Sequence, residues 1–151
     1  MGFAMNRAVV LLVACLLPCS AGFAGSFTPE PGSDLRTALM DAIRTDDFYP
    51  NRAAARANAQ KILFKVNFLK VSGGWALANV LPMKNGKEFA EPRWCLLRKS
   101  SSGEWEAMDY CALITKYYKD DADFFSALDM DNRAVGYLRK ELPQVPPDIF
   151  P

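Results

Sequence analysis

Residues 61–82 constrain the fold more than any other part of this chain. In residues 61–71 (KILFKVNFLKV) the side chains alternate, with Ile62, Phe64, Val66 and Phe68 on one face and Leu63, Lys65, Asn67 and Leu69 on the other. A period of two belongs to an extended strand whose faces meet different surroundings. Ser72-Gly73-Gly74 supplies turn chemistry, and residues 75–81 (WALANVL) make a second run of strand formers. The pattern predicts an antiparallel hairpin over residues 61–82. Residues 82–92 read as a polar loop containing Asn85-Gly86. Residues 93–99 (RWCLLRK) then form a third strand, Ser100-Ser101-Ser102-Gly103 a turn, and the run from Trp105 (WEAMDYCAL) a fourth strand.

A helix precedes the strands. Ser33 offers an N-cap and Asp34 suits the first turn. Leu35, Ala38, Leu39, Ala42 and Ile43 fall at helical spacing, with Arg36, Thr37, Asp41 and Arg44 on the other side. Pro50 interrupts the pattern, and residues 51–60 (NRAAARANAQ) predict a second helix with an alanine face and Arg52 and Arg56 one turn apart. Toward the C-terminus, residues 120–128 and 132–142 read as short helices, the latter aligning Val135, Leu138 and Leu142. A proline-rich arm follows, with Ile149 and Phe150 docked on the body.

The first 24 residues read as an export signal. Arg7 is the only charge before the apolar run 8–17 (AVVLLVACLL), which is shorter than the ~20 residues a membrane span needs. Gly22-Phe23-Ala24 fits a small-x-small cleavage site before Gly25. The predicted organisation is a signal peptide at 1–24, a flexible lead-in at 25–32 and a single domain at 33–151. The localisation it implies is periplasmic or secreted. Leu12-Val13-Ala14-Cys15 also resembles a lipobox, which gives the alternative of a lipoprotein anchored at Cys15. The chain's 18 Lys+Arg and 17 Asp+Glu become balanced once the leader and Arg7 are removed. No global attraction to nucleic acid follows from that charge. No second apolar run is long enough for a transmembrane segment.

Cleavage also removes two of the four cysteines. Cys95 and Cys111 remain, an even pair in an exported chain, and an oxidising compartment makes a disulfide the default reading. Their midpoint falls at residue 103, in the predicted turn, so a hairpin folded about that point sets them nearly opposite one another.

Histidine is absent. That removes Ser-His-Asp and Cys-His nucleophilic catalysis and the common His-based metal sites. Asp129-Met130-Asp131 opens like a calcium loop, but Ala134 stands where the loop needs glycine and Lys140 where it needs glutamate. No metal and no cofactor is expected. Asp109 is the one candidate catalytic residue, because a carboxylate on the inner face of a curved sheet can work as a general acid or base. The competing reading places it in solvent. Trp75, Trp94 and Trp105 stand at or near strand starts, where they line a ligand groove or anchor the core. Tyr117 and Tyr118 offer a docking patch at the end of the sheet or close the core.

The run Asp34-Leu35-Arg36 with Ala38-Leu39 and Asp41-Ala42, then Val71-Ser72-Gly73-Gly74-Trp75-Ala76, then Gly103-Glu104-Trp105, resembles a loose group of small exported bacterial proteins of unknown function. The resemblance spans most of residues 33–110 and carries over no functional residues. It implies a helix laid on an antiparallel sheet, similar in outline to cystatin or NTF2-like folds.

The expected fold is therefore α+β, with one face of a four-stranded antiparallel meander packed on the helix from Ser33 to Arg44, and short helices at the C-terminal end. The expected function is a non-catalytic binding or interaction protein of the envelope or periplasm, with an inhibitor or immunity role as one form. It meets a protein partner or small ligand through the exposed face or end of the sheet. The alternative is a small carboxylate-based enzyme with an NTF2-like pocket around Asp109.

Overall fold

A computed structural model describes residues 25–108, 113, 130 and 132–151. Within them the chain is α+β. Helix α1 (Asp34–Asp47) and helix α2 (Arg52–Ala57) precede an antiparallel sheet of β1 (Leu63–Ser72), β2 (Trp75–Lys84), β3 (Lys87–Glu88), β4 (Arg93–Lys99) and β5 (Trp105–Met108). Helix α3 (Asn132–Glu141) and a 3-10 turn (Pro147–Ile149) follow. The strand order is β1-β2-β4-β5, with β3 paired to β2.

Helix α1 begins where its cap predicts. The Ser33 hydroxyl accepts from the Arg36 amide at 3.3 Å, which satisfies one of the first-turn donors. Leu39, Met40, Ala42 and Ile43 are buried on the sheet. Asp41 and Arg44, expected on the exposed side, are buried too. The reason is α2, which lies across that side and buries Ala55 completely. Asn51 caps α2 by accepting from the Ala54 amide at 2.9 Å.

Strand β2 explains how the sheet takes two layers. Ala76, Ala78 and Val80 point to one face, where they pack with α1, Cys95 and Leu97. Trp75 and Leu77 point to the other, where they pack with Leu96, Val135, Leu138, Val145, Ile149 and Phe150. A short C-terminal helix is present as expected, but the sheet face expected to be exposed is covered. Helix α3 and the tail cover the second face of the sheet. Alanines on the α1 side let that helix approach closely, and the large residues of β2 fill the other core.

Strand β1 departs from simple alternation. Its register with β2 runs Val66↔Val80 and then Phe68↔Asn79, so Asn67 is the extra residue of a β-bulge. The bulge moves Leu69 and Val71 to the α1 side with Phe64 and Val66, and turns Phe68 to the α3 side. Phe68 and Leu69 thus exchange the faces expected for them. The Asn67 side-chain amide donates to Asn79 Oδ1 at 2.9 Å, bracing the irregularity.

The 82–92 loop is also corrected. β2 continues to Lys84, and Asn85-Gly86 makes a two-residue turn into β3, with φ of 53° and 73°. Both central residues of such a turn need the left-handed region, which Asn and Gly tolerate best. In the last hairpin the pairs run from Leu96↔Met108 to Lys99↔Trp105. That register is displaced by two residues from the one that sets Cys95 opposite Cys111. Cys95 is buried beneath α1, and Cys111 lies outside the described residues.

The lead-in is fixed rather than loose. Phe27 and Val71 exchange backbone hydrogen bonds of 3.0 and 2.9 Å. The Thr28 hydroxyl donates to the Leu69 carbonyl at 2.8 Å, and Ser26 donates to the Asp148 carbonyl at 2.7 Å. Residues 26–28 thereby strap the outer edge of β1 to the C-terminal turn.

Candidate functional site

Among the described residues the three tryptophans do not share one surface of the sheet. Trp75 is buried in the α3 core and Trp105 in the α1 core, on opposite faces of the sheet. Trp94 is half-buried and packs against Phe68, with ring centroids 5.4 Å apart. Among the described residues all three pack in or against the two cores. Asp109, Tyr117, Tyr118 and the helix predicted at 120–128 lie outside the described residues, as does the leader. Among the described residues no group of three or more acidic or cysteine side chains is placed to hold a metal, and no helix is long and apolar enough to cross a membrane.

Among the described residues a concavity lies beside α1. A groove of about 580 Å³ runs between α1 and the segment joining α2 to β1. Asp34, Arg36, Thr37, Ala38, Met40, Asp41 and Arg44 line it from α1, and Arg56, Ala59, Gln60 and Leu63 from the opposite side. Pro31 and Gly32 of the lead-in close one end. Its volume falls within the ~300–1,000 Å³ usual for ligand sites.

An ion cluster forms one end of this groove. Arg44 Nη1 donates to Asp41 Oδ1 at 2.8 Å, and Arg44 Nε donates to the Ile62 carbonyl at 2.9 Å. The Arg44 guanidinium also stands 5.2 Å from the centre of the Phe64 ring. Burial pushes the Arg44 guanidinium below its ordinary pKa, and the charge and hydrogen bond of Asp41 oppose that shift. Asp41 Oδ2 faces Arg56 Nε at 3.5 Å. The carboxylate is thus held between two guanidinium groups. It is ion-paired and buried, an arrangement suited to fixing geometry rather than to shuttling a proton.

Other arginines hold the walls in place. Arg52 donates to the Trp105 carbonyl and pairs with Glu104 at 3.7 Å, tying α2 to β5. Arg93 pairs with Asp47 at 2.9 Å, tying β4 to the end of α1. Arg36 Nη1 donates to the Pro29 carbonyl at 3.2 Å, fixing the lead-in against α1.

Sequence reasoning placed Arg52 and Arg56 one turn apart but assigned no role to Asp41, Arg44 or Arg56. The available signal was the Asp41–Arg44 spacing of three in the middle of an amphipathic helix, followed by a second helix with arginines of its own. No known protein family, curated protein or solved structure matches this chain.

Proposed function

We propose that this chain is a non-catalytic binding protein of the cell envelope, exported by its leader, and that it meets its partner through the groove between α1 and the α2–β1 segment. The groove replaces the face or end of the sheet as the surface of interest, because both faces of the sheet carry packed layers. The observation that carries the reading is the Asp41 side chain, only 6% exposed and shared between Arg44 and Arg56. It leaves the groove with a fixed, ion-paired framework and with apolar and polar side chains for contact, which is the anatomy of recognition. The absence of histidine points the same way. Acid–base catalysis at Asp109 draws no support from this groove.

The test uses the mature chain, beginning at Gly25, as bait in an extract of its own envelope, beside an Ala59→Trp variant whose indole fills the groove. The reading expects a partner that the native chain retains and the variant loses. Retention by both places the binding surface elsewhere. N-terminal mass analysis of the exported protein tests the leader separately, with Gly25 as the expected first residue and lipidated Cys15 as the contrary result.

A further inference from the structure

We infer that the groove takes an apolar peptide segment carrying a carboxylate, and that Arg56 receives that carboxylate. The inference rests on the binding reading above and gives it a ligand chemistry. Three observations carry it.

The first is an inequality between the two arginines on Asp41. Arg44 holds Oδ1 at 2.8 Å and is buried. Arg56 approaches Oδ2 only to 3.5 Å, and its side chain is 63% exposed. A good charge-assisted hydrogen bond is ~2.7–2.9 Å long. Asp41 thus has its close pair in Arg44, and Arg36, which also lines the groove, is half-buried with its guanidinium on the Pro29 carbonyl, so Arg56 is the most exposed guanidinium of the groove. Its planar fork matches a carboxylate in a bidentate geometry.

The second is the apolar strip beside it. Ala38, Met40 and Ala59 line the groove with Leu63, which is 50% exposed although it is a large apolar residue. A ligand that covers Leu63 gains the burial which the fold leaves undone. The third is polarity along the groove. Asp34 lines it as well, and its carboxylate disfavours a second anion beside it. The partner's carboxylate is therefore directed to Arg56, with its apolar side chain on Leu63 and Ala59. The size of the groove suits a few residues of extended peptide better than a bare anion.

The test is a titration of the isotope-labelled mature chain with acetyl-Ala-Leu-Glu-Leu-Ala-amide, followed by amide chemical shifts. The counterpart peptide with Gln in place of Glu is the control. Saturable shifts at Ala38, Ala59, Gln60 and Leu63 are expected, with the Gln peptide about tenfold weaker. Arg56→Gln is expected to abolish that difference between the peptides, and Arg56→Lys to retain part of it. Arg56 is exposed, so both variants keep the fold, and their unshifted core amides check this. Equal binding of the two peptides overturns the inference, as do shifts outside the groove or no groove shifts at millimolar peptide. Sodium acetate alone producing the same shifts also overturns it, since the site is then one for a free anion. A failure here, with partner capture still blocked by Ala59→Trp, leaves the groove as the binding surface and removes only the acidic-peptide chemistry.

Discussion

Arg44 donates Nη1 to Asp41 Oδ1 at 2.8 Å, one turn back along the same helix, beneath a second helix that hides both side chains from water. The same guanidinium reaches the Ile62 carbonyl at the entrance to β1. One side chain thus joins α1 to the first strand. Arg44→Met leaves the buried Asp41 carboxylate only its looser contact with Arg56 and is expected to cost about 3 kcal/mol. Replacing both residues, as Asp41→Leu with Arg44→Met, is expected to recover most of that loss, because no buried charge is then left over. Urea unfolding of the two variants checks the difference, and equal losses contradict it.

The alternation along β2 makes a pair of opposite size predictions. Ala78 and Leu77 are both fully buried, on opposite faces of the sheet. Ala78→Leu overfills the space under α1 and is expected to cost about 1–3 kcal/mol. Leu77→Ala opens a cavity under α3 and is expected to cost about 2–5 kcal/mol. A face of the sheet open to solvent would instead leave one of these changes nearly neutral in calorimetry or denaturant unfolding.

The turn at Asn85-Gly86 and the helix α3 give glycine substitutions of opposite sign. Gly86 has φ of +73° and open space around its Cα, so Gly86→Ala meets only conformational strain, about 1 kcal/mol. Gly136 lies in α3 with nothing near an added Cβ, and Gly136→Ala is expected to add about 0.5–1 kcal/mol of stability. Thermal unfolding midpoints moving in opposite directions are the expected result.

The strap of residues 26–28 predicts an association hazard. It pairs with β1 through Phe27 and Thr28. A chain begun at Pro29 exposes those strand donors and acceptors, and bare edges recruit other strands. Light scattering is expected to show concentration-dependent association of the shortened chain and none of the chain begun at Gly25.

Much of this fold is legible from residue order. The Ser33 cap, the stripe from Leu35 to Ile43, the Gly73-Gly74 turn and strand β4 stand where local chemistry puts them. The misses share a physical cause. Periodicity reports which residues want burial, but not what does the burying. Leu69 and Phe68 are both apolar, so the bulge at Asn67 that exchanges their faces leaves no trace in the pattern. Trp75 and Leu77 alternate with small residues just as a strand with one wet face does, and only the packing of α3 distinguishes the cases. The Asp41–Arg44 pair looks like an ordinary solvated face because α2, which covers it, has an interface made of alanine. The groove arises from that covering and so had no local signature.

The central claim is that partners meet this protein at the groove beside Leu63, and site-specific photocrosslinking tests it most directly. A photoreactive residue at Gln60, exposed at the groove, is compared with one at Lys99, exposed toward the opposite end of the sheet. A discrete adduct is expected from position 60 in the intact envelope, absent from position 99 and lost when Ala59→Trp fills the groove. A partner crosslinked from position 99 and not from position 60 contradicts it.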